Sequence, residues 1–372
     1  MKSSKQRRKY IVMWTISIIS VIVLVPVIIG ILFINQPSFG RMPRGERLER
    51  IKKSPHYKDG EFKNIHETVL MTSDSNRFKG IWDFLFKKID GLRPEEEMPV
   101  IKTDLHKIKT YRDVLVWFGH SSYFIQIDGK RMLVDPVFCM AAPVSFVNKP
   151  FPATYNYRPD DMPDIDYLVI THDHWDHLDY HTVMQLKNRI GKVICPLGVG
   201  EHFESWGFDE ERLIELDWYE DASLDAAGFS VHCLPARHFS GRGLTANQTL
   251  WASYLIETPS LKIYMGGDGG YDTHFKEIGD RFPGIDLAIL ENGQYNEDWK
   301  YIHTMPEYLS RAAKDLNAGQ ILTVHHSKYA LARHRWDEPL MNAQKMAQVD
   351  SLNVLLPVIG EVVNLEKMKK RE

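Results

Sequence analysis

The chain has 372 residues, 44% hydrophobic and 26% charged, with a formal net charge of −3. This is the make-up of a globular enzyme with room for one large domain or two modest ones. It excludes a disordered or fibrous protein and offers no basic field able to hold nucleic acid.

Residues 1–10 form a basic tail carrying Lys2, Lys5, Arg7, Arg8 and Lys9, and residues 11–34 form an uncharged apolar run from Ile11 to Ile34. At ~1.5 Å per residue such a helix spans a hydrocarbon core of roughly 30 Å. Pro26 and Gly30 are tolerated in a spanning helix, and Trp14 lies near one end, where interfacial aromatics collect. A cleaved signal peptide shares the basic start, but its apolar core is only ~7–15 residues long, and no small-x-small cleavage pattern follows here. The run therefore reads as a single-pass transmembrane helix. Arg41, Arg44, Arg47, Arg50, Lys52 and Lys53 follow it and nearly balance the charges ahead of it. A short basic tail before an early span usually stays cytosolic, so the catalytic part is expected on the extracytosolic side.

Residues 35–110 read as a polar linker and N-terminal extension, punctuated by Pro37, Pro43, Pro55, Gly60, Pro94 and Pro99. Short helices are expected in it, for example over Ser75–Ile89, and its basic residues can meet anionic headgroups or simply be solvated. The catalytic domain is expected over 111–360, followed by a polar tail, 361–372. Strands are predicted at Val114–Gly119, Ser122–Ile127, Arg131–Asp135, Tyr167–Thr171, Lys192–Cys195, Phe229–Leu234, Trp251–Glu257, Lys262–Met265, Leu287–Leu290 and Gln320–His325, with Asp128-Gly129 as a hairpin turn. Helices are predicted at His177–Arg189 and Thr304–Asn317, the second with Thr304 as N-cap and Glu307 closing a capping box. Hairpins first and then strands alternating with helices point to layers of sheet and helix in one α/β domain. Three cysteines, Cys139, Cys195 and Cys233, form no Cys-x-x-Cys pair, and the last two sit in apolar runs that read as buried free thiols.

The strongest chemical signal is His172-Asp173-His174-Trp175-Asp176-His177, entered from the apolar run Leu168-Val169-Ile170. Imidazole and carboxylate suit a divalent ion such as zinc. In an extended loop His172 and His174 project to one side and can grip one ion, while Asp176 and His177 can address a second. Left without a cation, so many clustered ionisable groups would carry a large desolvation cost. His238, Asp268 and His325 each close a strand-like run, the place where sites are assembled from distant parts of a chain.

These pieces resemble the metallo-β-lactamase superfamily and, within it, the branch of N-acyl-phosphatidylethanolamine-hydrolysing phospholipase D. The resemblance runs from about Trp117 to Pro339. It rests on Gly119-His120-Ser121, Val134-Asp135-Pro136, the His172–Tyr180 run, Ala236-Arg237-His238, Leu250-Trp251-Ala252-Ser253, Gly267-Asp268-Gly269-Gly270-Tyr271, and His325 with Tyr329-Ala330-Leu331-Ala332. It implies a four-layer αβ/βα sandwich and two zinc ions. His172, His174 and His238 would hold one, Asp176, His177 and His325 the other, with Asp268 bridging. His326 departs from the branch's usual aromatic residue and is a possible substitute for His325. The resemblance also implies that His120 and Asp135 orient ligands from behind, although a plain turn or cap role fits both as well. It makes Asp176 and His303 the catalytic residues, with His303 as substrate binder or general acid, where a surface residue is the plainer reading. It allows a dimer. His181, His202, His232, His274 and His334 belong to no motif and read as structural or surface residues.

Two adjacent cations ionise a shared water and clamp the attacked group, which suits a phosphodiester or a strained ester. With an anchor, the expected substrate is a membrane phospholipid, and the apolar loop Phe138–Phe146 can receive acyl chains or pack beneath the site. The alternatives are a lactonase or sugar-phosphate hydrolase of the same superfamily, and a non-catalytic, metal-stabilised, membrane-tethered binding protein.

Overall fold

The computed structural model describes residues 4–72, 89–224 and 227–368. The helix expected over Ser75–Ile89 lies, but for its last residue, outside the described residues. The apolar run is a single helix, Ser4–Ile34, and its Arg8–Ile34 portion is long and apolar enough to cross a membrane. Its large apolar side chains from Ile11 to Leu32 are exposed. The hydroxyl of Thr15 donates to Ile11 O, so even its polar atom is satisfied within the helix.

The segment after the helix folds onto the body. It forms the helix Gly45–Lys53 and a small hairpin of β1 (Tyr57–Lys58) and β2 (Glu61–Phe62). Ile51 and Phe62 are fully buried in the central core, so these residues of the predicted linker are part of the domain. Arg47 reaches Glu201 and Glu204 at 2.7 Å and Glu215 at 2.8 Å, and Arg50 reaches Glu220 at 2.6 Å. These two arginines neutralise acidic side chains of the body.

Two seven-stranded mixed sheets face each other. One is ordered β16 (Val362–Asn364), β3 (Val114–Trp117), β4 (Tyr123–Ile127), β5 (Lys130–Val134), β6 (Ile165–Val169), β7 (Ile190–Pro196), β8 (Leu213–Leu216). The other is ordered β9 (Asp221–Ser223), β10 (Ser230–Leu234), β11 (Ser253–Glu257), β12 (Lys262–Met265), β13 (Leu287–Glu291), β14 (Gln320–Val324), β15 (Val354–Leu355). Each sheet has three antiparallel pairings followed by three parallel ones, a topological repeat that leaves no trace visible by eye in the sequence.

Strand periodicity explains the layers. In β3, Leu115 and Trp117 join the core between the sheets, whereas Val114 and Val116 face outward into a second core that also takes Val183 and Leu186 of the helix Tyr180–Leu186. On the far face of the second sheet, Tyr264, Ala288 and Ile321 meet the helices His274–Arg281, Pro306–Leu316 and Glu338–Gln348. The result is helix, sheet, sheet, helix.

Three sequence expectations change. Val362–Asn364, placed in the polar tail, pairs with β3, and the next residue, Leu365, is fully buried. The predicted helix His177–Arg189 begins at Tyr180, capped by Asp179, whose carboxylate accepts from His181 N. The capping box at Thr304 does not form: the helix begins at Pro306 without a side-chain cap, and Thr304 Oγ1 donates to Gly269 O instead. A hydroxyl buried beside another strand end satisfies that carbonyl in preference to the helix terminus. Cys195 and Cys233 are buried and free, and Cys139 is exposed.

Candidate metal centre

The site forms where the strands of both sheets end. Strand β5 leads into Asp135, β6 into His172, β10 into His238, β12 into Asp268 and β14 into His325. Several of these ends are bent sharply, with positive φ at Asp135 (39°), His120 (53°) and His325 (68°). Such backbone costs ~1–3 kcal/mol each for residues other than glycine and persists where surrounding structure enforces it. Here backbone bonds do so: His120 N donates to His326 O at 2.7 Å, and His325 N donates to His120 O at 2.9 Å.

One group gathers His172, His174 and His238. His174 Nδ1 lies 2.9 Å from His172 Nε2 and 3.2 Å from His238 Nε2. The other ring nitrogens are committed. His238 Nδ1 donates to Ile302 O at 2.7 Å. Thr171 Oγ1 spends its proton on Asp135 Oδ2 and accepts from His172 Nδ1 at 3.0 Å. Both Nε2 atoms therefore present lone pairs to His174 Nδ1, and one proton could serve only one of them. Nitrogens bound tetrahedrally at ~2.0–2.1 Å to one ion would sit roughly 3.3 Å apart, which matches this spacing.

A second group gathers His120, Asp176, His177 and His325, and Asp268 joins the two. His177 Nδ1 donates to Asp135 Oδ2 at 2.8 Å, which aims its Nε2 at Asp268 Oδ2, 3.1 Å away, and Asp176 Oδ2, 3.6 Å away. His325 Nε2 lies 3.3 Å from Asp268 Oδ2 and 3.4 Å from Asp176 Oδ2. Among the described residues, buried His177 Nε2 and Asp268 Oδ1 have no hydrogen-bond partner. A lone pair facing two carboxylates needs a cation between them. Without an ion that cation is a proton: burial opposes it, but Asp268, Asp176 and Asp135 hold the His177 pKa well above the ordinary value. His325 is pushed up to about 9, burial again being outweighed by Asp268, Asp176 and Glu291. Burial, with neighbouring histidines, keeps His172 and His238 neutral, as metal ligands must be. The donor set and its unpartnered atoms thus fit a pair of divalent ions.

Asp135 stands behind His177, its Oδ2 accepting from the ring's Nδ1. The Nε2 of His120 lies 2.9 Å from Asp176 Oδ2, so His120 orients a carboxylate. Burial pushes His120 down to about 3, leaving it a neutral donor. His326 turns away from the group, its ring nitrogens engaged by Ser327 Oγ at 2.7 Å and Thr323 O at 3.2 Å. His303 is buried at the site's edge, its ring 5.5 Å from that of His325 and 5.1 Å from that of His238. Glu291, which the sequence reading passed over, lies 3.0 Å from His303 Nδ1 and 3.4 Å from His325 Nδ1, and also accepts from Thr304 N. The signal was present: a carboxylate closing an apolar strand run, like Asp135 and Asp268. Of the loop after β5, Ala141 and Ala142 pack inward while Phe146 is exposed.

The family model described as the beta-lactamase superfamily domain matches residues 130–326. An uncharacterized protein of Mycobacterium tuberculosis is 36% identical over 320 residues, covering 84% of this chain and 85% of its own. The N-acyl-phosphatidylethanolamine-hydrolyzing phospholipase D 1 of Caenorhabditis elegans is 30% identical over 229 residues, covering 58% of this chain and 64% of that protein. Among solved structures, Igni18, a metallo hydrolase of Ignicoccus hospitalis, superposes with a TM-score of 0.53 at 23% identity, covering 68% of this chain and 98% of that one. That likeness is one of fold.

Proposed function

Since the chain belongs to the beta-lactamase superfamily and is a metal-dependent hydrolase of that fold, we propose that it cleaves the phosphodiester of a membrane phospholipid, as a phospholipase D acting on N-acyl-phosphatidylethanolamine-like lipids. The observation that carries this reading is an aromatic relay between the apolar helix and the metal loop. Phe33, at the helix end, lies 5.3 Å from Phe39, and Phe39 lies 4.9 Å from Trp175, which sits between His174 and Asp176. With Ser4–Ile34 as a single-pass anchor, that relay keeps the site at headgroup level, and the catalytic body lies on the extracytosolic side. The name of the nematode relative adds support for the same bond and substrate class.

His172, His174 and His238 would hold one zinc ion, Asp176, His177 and His325 the other, with Asp268 shared. Bound there, the pair would supply Lewis acidity, to activate water near neutral pH and to offset charge on the phosphate. The chain's own residues do the rest. Asp135 and His120 fix the orientations of His177 and Asp176. Glu291 accepts from His303 Nδ1 and fixes the ring, so that when the ring carries protons on both nitrogens the one on Nε2 passes to the departing alkoxide.

The test is the purified full-length protein in detergent, supplied with zinc and given vesicles of a phospholipid panel that includes N-acyl-phosphatidylethanolamine. Release of phosphatidate is the expected result. Failure to release a headgroup from any lipid would overturn the reading, and turnover of soluble lactones or sugar phosphates instead would assign the site to those substrates.

A further inference from the structure

We infer that the segment emerging from the apolar helix is a working part of the metal loop's scaffold, with His202 and Arg242 as the positioning residues that join them. The inference rests on the two-ion reading of the site.

Asp173 lies between His172 and His174, yet its carboxylate engages partners outside the metal groups. Its Oδ1 accepts from Gly241 N at 2.7 Å, and its Oδ2 accepts from Thr249 Oγ1 at 2.9 Å and His202 Nε2 at 3.1 Å. The tautomer of His202 is set from the other side, because Arg41 N donates to its Nδ1 at 3.0 Å. Its one ring proton therefore sits on Nε2 and goes to Asp173. Arg242 makes a second tie. Its Nη1 donates to Asp173 O at 2.8 Å and Leu178 O at 2.6 Å, its Nη2 donates to Ser38 O at 2.8 Å, and its guanidinium lies 4.2 Å from the Trp175 ring centre. Residues 38–41, just past the helix end, thus grip both ends of the ligand loop.

The approach is close enough that Gly40, at φ +70°, admits no side chain: a Cβ there would stand 2.1 Å from His202 Nδ1. Metal sites tolerate displacements of only about 0.5 Å, and the backbone held by Asp173 sets how His172 and His174 converge. Shifting residues 38–41 therefore alters ion affinity without touching a ligand.

Full-length variants in detergent, titrated with zinc against a chromophoric chelator, test this. His202→Ala is expected to weaken zinc binding about tenfold or more. His202→Gln keeps an N–H near the Nε2 position and is expected to restore most of that loss. Gly40→Ala, which changes only the emerging segment, is expected to reproduce the His202→Ala loss; should it not fold, the two His202 variants still decide. Wild-type affinity in His202→Ala or in a folded Gly40→Ala protein overturns the inference, as does a glutamine variant as weak as the alanine one. A wild-type protein that binds no zinc would remove the two-ion reading itself, an outcome distinct from either.

Discussion

Asp135 Oδ2 and His177 Nδ1 are joined by a buried hydrogen bond of 2.8 Å, and the same carboxylate oxygen takes the Thr171 hydroxyl at 2.6 Å. One carboxylate therefore fixes His177 directly and His172 through Thr171, so it governs a donor in each metal group. Partners of this kind typically change metal affinity by ~10–100-fold when removed. Asp135→Ala is expected to weaken zinc binding by about that factor while far-UV circular dichroism stays unchanged. An unaltered chelator competition curve would show that His177 needs no such support.

The His303 assignment separates from a structural role by the leaving group. General acid catalysis typically contributes ~10²–10⁴-fold. His303→Gln is therefore expected to lower kcat by about that range on a lipid with a poor leaving group, with little change in KM. The deficit shrinks on a nitrophenyl phosphodiester, whose leaving oxygen needs no proton. Equal losses on both substrates would mean that the ring only supports its neighbours.

Metal uptake should follow the proton on His325. In the metal-free protein its pKa is raised from 6.5 to about 9. A raised pKa means that the proton stabilises the fold fully below about 6.5, and this contribution is lost as pH rises through about 9. A zinc ion must displace that proton. Calorimetric titration in buffers of different ionisation enthalpy should show more protons released per ion at pH 7 than at pH 10. Equal release at the two values would count against His325 as a ligand.

The metal run was legible because ligand chemistry forces unlike residues together over a few positions, and nothing in packing would select His172-Asp173-His174-Trp175-Asp176-His177. His238, Asp268 and His325 were legible by their place at the ends of apolar runs. Glu291 stood at such an end too, but the predicted strand stopped at Leu290, one residue short of its ladder with Val324. His202 and Arg242 gave no local signal, because their partners Arg41, Asp173 and Ser38 are distant in the chain. The strands Leu213–Leu216 and Val362–Asn364 were missed because they lie at sheet edges, where only one side is paired and hydrophobic alternation is weak.

Removing zinc with a chelator should abolish turnover and also loosen the fold, since the buried ligands then face one another with protons as the only counterions. A local change tests the other side of the site. Gly270 follows Asp268 by two residues, and a Cβ on it would stand 2.1 Å from Tyr301 O, within the loop that carries His303. Backbone cannot yield there as a flexible side chain would. Overpacking of this kind costs ~1–3 kcal/mol. Gly270→Ala is expected to lower the unfolding temperature and to displace the His303 loop, whose Ile302 O also holds His238 Nδ1, so kcat and zinc affinity should fall together. Calorimetry beside a zinc titration reads both quantities. A variant with wild-type stability and kcat would show that the loop bearing Tyr301 moves freely and does not hold His303 in place.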